Sequence, residues 1–282
     1  MTTPGKRIGY VDFDLENFHA NVYLSAFRKE LAARGFEVAG CTALKEPEGR
    51  AWAEKNGVPY FASVRELDKH VDCYAVLAPN NPETHLELCK KVLPRRKTTY
   101  VDKTFAPDLR TARRIFTLAD KHGTAVQTTS ALRYTNVQAH VREVGRENVR
   151  HMVAWGGGRS FEIYAIHPAE LVVSCLGPEV EGLMRRGTGD ESQILLNFSG
   201  GRTAVLDVYT NAETPYAAAV TTGKGTKLIA ADTSRLFIDM ASAMLDFFES
   251  GKPNIDRAES LAVRQILDAA AKPRALKAFI KV

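Results

Sequence analysis

The stretch Ile8-Gly9-Tyr10-Val11-Asp12-Phe13-Asp14-Leu15-Glu16-Asn17-Phe18-His19 decides how this chain is read. A short apolar run, a polar turn and the start of a helix follow one another. That layout opens a dinucleotide-binding α/β sheet. At the G-x-G-x-x-G spacing stand Asp12, Asp14 and Asn17. The spacing is kept and the glycines are not. Those glycines let a diphosphate approach bare backbone at a helix N-terminus. Two carboxylates in their place repel a phosphate and crowd the turn. The commoner fate of Asp14 or Asn17 is to cap the helix that follows.

Outward from this stretch, residues 7 to about 128 alternate strand and helix. Strands are expected at Ile8–Val11, Phe36–Thr42, Tyr60–Phe61, Cys73–Ala78, Thr98–Val101 and Thr124–Gln127. Helices are expected at Phe18–Arg34, Glu48–Asn56, Val64–Lys69, Glu83–Leu93 and Leu109–His122, with Gly35, Gly57 and Gly123 as stops. Repeated βα units with short loops imply a doubly wound parallel sheet with helices on both faces. The second half changes rhythm. Long strand-like stretches run through Val149–Trp155, Val180–Arg186, Glu191–Phe198, Thr203–Tyr209, Ala217–Thr222 and Lys227–Ala231, with helices at Pro168–Cys175, Arg235–Glu249 and Asp256–Ala271. Ser199-Gly200-Gly201-Arg202 marks a hairpin turn. The reading is α/β: a Rossmann-like domain over 1–128 and an α+β domain on a mostly antiparallel sheet over 129–282, for substrate and oligomerisation.

Composition sets the outer limits. A chain of 282 residues can bury a sizeable core without disulfides or metal. The net charge of +5 is mild, and the clusters Lys90-Lys91, Arg95-Arg96-Lys97 and Arg185-Arg186 read as solvated faces. No recognised motif accompanies the charge, which argues against a nucleic-acid partner. Cys41, Cys73, Cys89 and Cys175 form no C-x-x-C pair and read as buried, reduced thiols. No signal peptide and no membrane-spanning run stands out, so a cytoplasmic location is the default expectation.

Five segments in order resemble the Gfo/Idh/MocA family, the glucose–fructose oxidoreductase and inositol dehydrogenase group. Ala75-Val76-Leu77-Ala78-Pro79-Asn80-Asn81-Pro82-Glu83-Thr84-His85 is similar to its strand, Thr-Pro-Asn loop and helix with a His. Tyr100-Val101-Asp102-Lys103-Thr104-Phe105-Ala106 is similar to its Glu-Lys-Pro motif. Leu132-Arg133-Tyr134 stands where an Arg-Tyr/Phe pair opens its second domain. Ile166-His167-Pro168-Ala169-Glu170 is similar to its H-x-x-D/E helix start, and Leu261–Ala270 to its C-terminal helix. The chain also departs from the family. Cys41-Thr42-Ala43 stands where an acidic residue holds the adenosine ribose, Asp102 and Thr104 flank the lysine in place of Glu and Pro, and Ile163 replaces the catalytic Asp before the His.

The resemblance implies NAD- or NADP-dependent oxidation and reduction of a hydroxyl or keto group on a sugar- or polyol-like molecule. It implies that Lys103 contacts nicotinamide and substrate hydroxyl, where it can stabilise an alkoxide. It gives His167 the proton, a role suited to a near-neutral pKa, with Tyr164 as an alternative donor. Asp12, Asp14, Asn17 and Thr42 fall along the diphosphate and adenosine end of the cofactor, and Asn80, Asp102 and Arg133 at the nicotinamide end. Lys45 and Arg50 are candidates for a 2′-phosphate. A divalent ion at Asp12, Asp14, His19 and His85 is chemically conceivable, but shared descent explains His19 and no metal site is assigned. The second-domain sheet implies a homo-oligomer. The missing glycines keep two other classes open: a nucleotide-independent lyase or isomerase, and a non-catalytic binding or partner protein.

Overall fold

The computed structural model describes residues 6–282. Contacts divide the chain into two compact units, one of residues up to 129 with 237–256, the other of 130–236 with 257–282.

The first unit is built on five parallel strands in the order β2-β1-β3-β4-β5. They are β1 (Arg7–Asp12), β2 (Glu37–Ala43), β3 (Cys73–Val76), β4 (Thr99–Val101) and β5 (Val126–Gln127). After its first residue β1 is buried throughout, as are β3 and β4. That is the signature of a sheet covered on both faces. Helices α1 (Phe18–Arg28), α2 (Glu46–Asn56), α3 (Val64–Leu67), α4 (His85–Val92) and α5 (Leu109–His122) connect the strands. Left-handed Gly57 and Gly123 close α2 and α5, as their sequence positions predict. Two details differ from expectation. The first helix stops at Arg28, and a separate 3₁₀ turn, Ala32–Arg34, ends at left-handed Gly35. Tyr60 makes one bridge to Cys41 rather than a strand.

The second unit carries seven strands in the order β11-β10-β6-β9-β8-β7-β12. These are β6 (Val149–Gly156), β7 (Val180–Arg186), β8 (Glu191–Phe198), β9 (Arg202–Tyr209), β10 (Ala217–Thr222), β11 (Gly225–Ala230) and β12 (Ile280–Lys281). All neighbours are antiparallel except β6 and β9. The hairpin at Ser199–Gly201 joins β8 to β9 in continuous register. One face carries Met152, Ala154, Ile194, Leu196, Leu206 and Val220. These form a core with α8 (Ile166–Leu176) and α10 (Arg257–Ala270). Two short helices, α6 (Asn136–Val144) and α7 (Phe161–Tyr164), were not expected.

Helix α9 (Leu236–Ser250) corrects the simple division at residue 128, because from Phe237 to Asp256 the chain packs with the first unit. Tyr23 reaches Met240 Sδ at 3.1 Å, Phe36 lies against Phe248, and Arg34 pairs with Asp246 and Glu249 at 2.9 and 2.6 Å. These partners also account for the separate turn that carries Arg34.

Candidate functional site

The first turn is closed on itself. Asp12, fully buried at the end of β1, places Oδ1 2.6 Å from the Phe13 amide and 3.1 Å from the Asp14 amide. Its Oδ2 accepts from Asn17 Nδ2 at 2.9 Å. Asn17 Oδ1 in turn accepts the Ala20 amide, so Asn17 is the N-cap of α1. Asp14 accepts the Glu16 amide and lies 3.3 Å from Lys45 Nζ. Burial pushes the Asp12 carboxyl up to about 7, against the hydrogen bonds from Asn17, Asp14 and Phe13. These residues do not fit a dinucleotide diphosphate. The amides that would receive it already serve side chains, and the positions that would be bare glycine carry acids and an amide.

The end of β4 is differently arranged. Asp102 is fully buried, with Oδ2 2.6 Å from His19 Nδ1 and Oδ1 accepting the Lys103 amide at 2.8 Å and the Tyr100 hydroxyl at 3.2 Å. Burial pushes its carboxyl up, but His19 and Lys103 outweigh that and hold it below the ordinary carboxylate value. His19 sits among the rings of Phe18, Tyr23 and Phe237. Lys103 follows, 8% exposed, with Nζ 3.4 Å from the Pro79 carbonyl. Burial lowers its pKa more than Asp102 raises it. The Lys103–Thr104 peptide is cis. His85 is buried between the Phe105 carbonyl at 3.0 Å and the Leu77 carbonyl at 2.5 Å, and so ties the loop after Lys103 to the end of β3. Parallel sheets bind ligands outside the carboxyl ends of their strands, and these groups all stand there. A nicotinamide and a substrate hydroxyl fit this end chemically: an ammonium poised by a carboxylate, with imidazole support.

Of the other residues predicted on the first unit, Thr42 is buried near the end of β2, and Asn80 is exposed in the loop after β3. Lys45 is held by Asp14 and lies over the Phe13 ring, while Arg50 pairs with Glu46 and covers the Tyr60 ring. Among the described residues, no group of three or more His, Cys, Asp and Glu is arranged to hold a metal. All four cysteines are free and buried.

In the second unit His167 stands in the first turn of α8. Its Nδ1 lies 2.8 Å from Ser130 Oγ, and its ring lies between those of Tyr164 and Tyr216 at 5.7 and 5.8 Å. Gly158, at φ +149°, makes room for this cluster, since a Cβ there would fall on the Tyr164 ring. Ile163, at the position of the expected acid, is 42% exposed. Arg133 is the clearest departure. Instead of presenting itself to a ligand, its guanidinium bridges Glu170 at 2.7 Å and Glu259 at 2.5 Å, and Arg146 joins Glu259 at 3.1 Å. The Glu170 and Glu259 charges hold the Arg133 pKa up against the effect of burial.

Residues 8–130 match the model of an oxidoreductase family described as an NAD-binding Rossmann fold, Gfo/Idh/MocA. That match spans the first sheet and the helices that connect its strands. Solved structures share the fold along the whole chain. The scyllo-inositol dehydrogenase of Lactobacillus casei superposes with a TM-score of 0.83 at 12% identity, covering 100% of this chain and 99% of its own. GenD2 of gentamicin A biosynthesis, in complex with NAD, gives 0.81 at 15% identity, covering 100% and 98%. An oxidoreductase from Agrobacterium radiobacter, in complex with NAD⁺, L-tartaric acid and magnesium, gives 0.78 at 15% identity, covering 98% of each chain. No curated protein matches the sequence. Within the matched segment, the His19–Asp102 pair is the feature that sequence reading missed. The only signal for it is the family position of each residue.

Proposed function

We propose that this chain interconverts a hydroxyl and a keto carbon on a sugar- or polyol-like small molecule, with NAD or NADP as the redox partner. The observation that carries the reading is Lys103, a buried ammonium at the end of β4 beside the His19–Asp102 pair, in a domain of an oxidoreductase family. The nicotinamide, when bound, gives or takes the hydride. Asn80 and, through Lys103, Asp102 would hold its ring end. Lys103 donates a hydrogen bond to the substrate oxygen and stabilises negative charge there. The carbonyl of Pro79 and the carboxylate of Asp102 keep the ammonium directed. His167 takes the hydroxyl proton or returns it, with Ser130 at Nδ1 fixing the ring's orientation. We assign Arg133 a structural role, because its guanidinium is engaged by two buried acids. The inositol dehydrogenase among the similar folds supports the substrate class.

The test is reduction of NAD⁺ or NADP⁺, followed by absorbance, across a panel of inositols and sugars. Lys103→Ala and His167→Ala should each lower turnover by about 100-fold or more while the circular dichroism spectrum stays unchanged. Wild-type turnover in either variant removes that residue from the mechanism. The closed first turn favours one rival, an elimination or isomerisation next to a carbonyl run by the same lysine and histidine. Turnover of a polyol or keto sugar with no nucleotide present would establish the rival.

A further inference from the structure

We infer that the Asp12 carboxylate is the resident occupant of the anion cradle of the first turn, so that a nucleotide is held through its nicotinamide end alone, with no grip on the diphosphate. The inference rests on the oxidoreductase reading above. Two successive backbone amides converging on one oxygen are the device by which turns hold phosphates. Here the Phe13 and Asp14 amides converge on Asp12 Oδ1 at 2.6 and 3.1 Å. The other carboxylate oxygen accepts from Asn17 Nδ2 at 2.9 Å, and the single side-chain oxygen of Asn17 accepts the Ala20 amide. The residues at 12, 14 and 17, the three fingerprint positions, thus consume the donors at 13, 14, 16 and 20. A diphosphate could take those donors only by displacing a carboxylate that is fully buried and would be left without its hydrogen bonds. The charge balance opposes it too. Asp14 and Glu16 line the turn, and the two lysines that reach it are already paired, Lys45 with Asp14 and Lys55 with Glu16.

The adenosine side gives a second, independent observation. The end of β2 offers Thr42 and Ala43 where a ribose needs an acid, and Thr42 is buried. Arg50, the remaining base near a 2′-phosphate, is taken by Glu46 and the Tyr60 ring. Among the described residues, nothing at the diphosphate or the adenosine position favours a dinucleotide over its nicotinamide half.

Calorimetric titration of the full chain with NADH, reduced nicotinamide mononucleotide and ADP-ribose tests this, and the wild-type comparison needs no variant to fold. NADH and the reduced mononucleotide are expected to bind within about threefold of each other, with no ADP-ribose binding at roughly millimolar concentration. Asp12→Gly with Asp14→Gly should then raise ADP-ribose affinity by about tenfold or more. Binding of ADP-ribose to the wild type as tightly as NADH overturns the inference while leaving the oxidoreductase reading intact. Binding of neither NADH nor the mononucleotide overturns the oxidoreductase reading itself, and the inference falls with it.

Discussion

Burial of Asp12 makes the stability of the first unit depend on pH. Its carboxyl is raised from 3.8 to about 7, so the folded chain holds a proton there that the unfolded chain has lost. Over that window, stability falls as pH rises, by on the order of a few kcal/mol. Asp102 works in the opposite sense in a lower window: its lowered pKa stabilises the fold above the ordinary carboxylate value and is lost on acidification. Asp12→Asn removes the first effect alone. Urea denaturation should show the variant gaining on the wild type between pH 4.5 and about 7.5; equal slopes would mean that Asp12 is not held at a raised pKa. At this scale the sequence was partly readable. Asn17 as a cap follows from residue type and position. The bond between His19 and Asp102 does not, because 83 residues separate them and only the assembly of β1, β3 and β4 into one sheet brings them together.

Elements were legible wherever their period was. Strands β7, β8 and β10 and helix α5 begin and end where alternation and glycine stops place them. Helix α6 carried a signal that was passed over: Thr135 and Gln138 form a capping box, with Val137 and Val141 buried behind it. Thr135→Ala should cost about 1 kcal/mol by chemical denaturation. The partners of Arg133 had no local signal, since Glu170 lies on α8 and Glu259 on α10. Removing the guanidinium takes a close ion-pair partner from two buried acids at once. Arg133→Ala should therefore destabilise the chain by about 3–5 kcal/mol, and a loss below about 1 kcal/mol would show that the network contributes little.

At the scale of the whole molecule, the second sheet has an apolar row on the face away from α8 and α10. Leu228, Ala219, Val153, Val205, Leu195 and Met184 are paired in register across six strands. Val153, Val205, Leu195 and Met184 are only half-buried, and Leu228 is 76% exposed. This row is the physical support for the homo-oligomer expected from the family resemblance. Light scattering should give a multimer for the wild type and a smaller species for Leu195→Glu with Val205→Glu; a monomeric wild type would dispose of the idea. What no periodicity could reveal is the allegiance of α9, because an amphipathic helix does not state which sheet it will cover.

That allegiance has a consequence for synthesis. Neither unit is one continuous piece of chain. As the polypeptide leaves the ribosome, the five strands of the first sheet emerge early, yet Tyr23, Arg34 and Phe36 wait for partners beyond residue 237. Domains that fold in order of emergence finish one before starting the next. Here the first unit can be completed only after most of the second has been translated, and a gene cut at the apparent boundary would release a product with its aromatic flank uncovered.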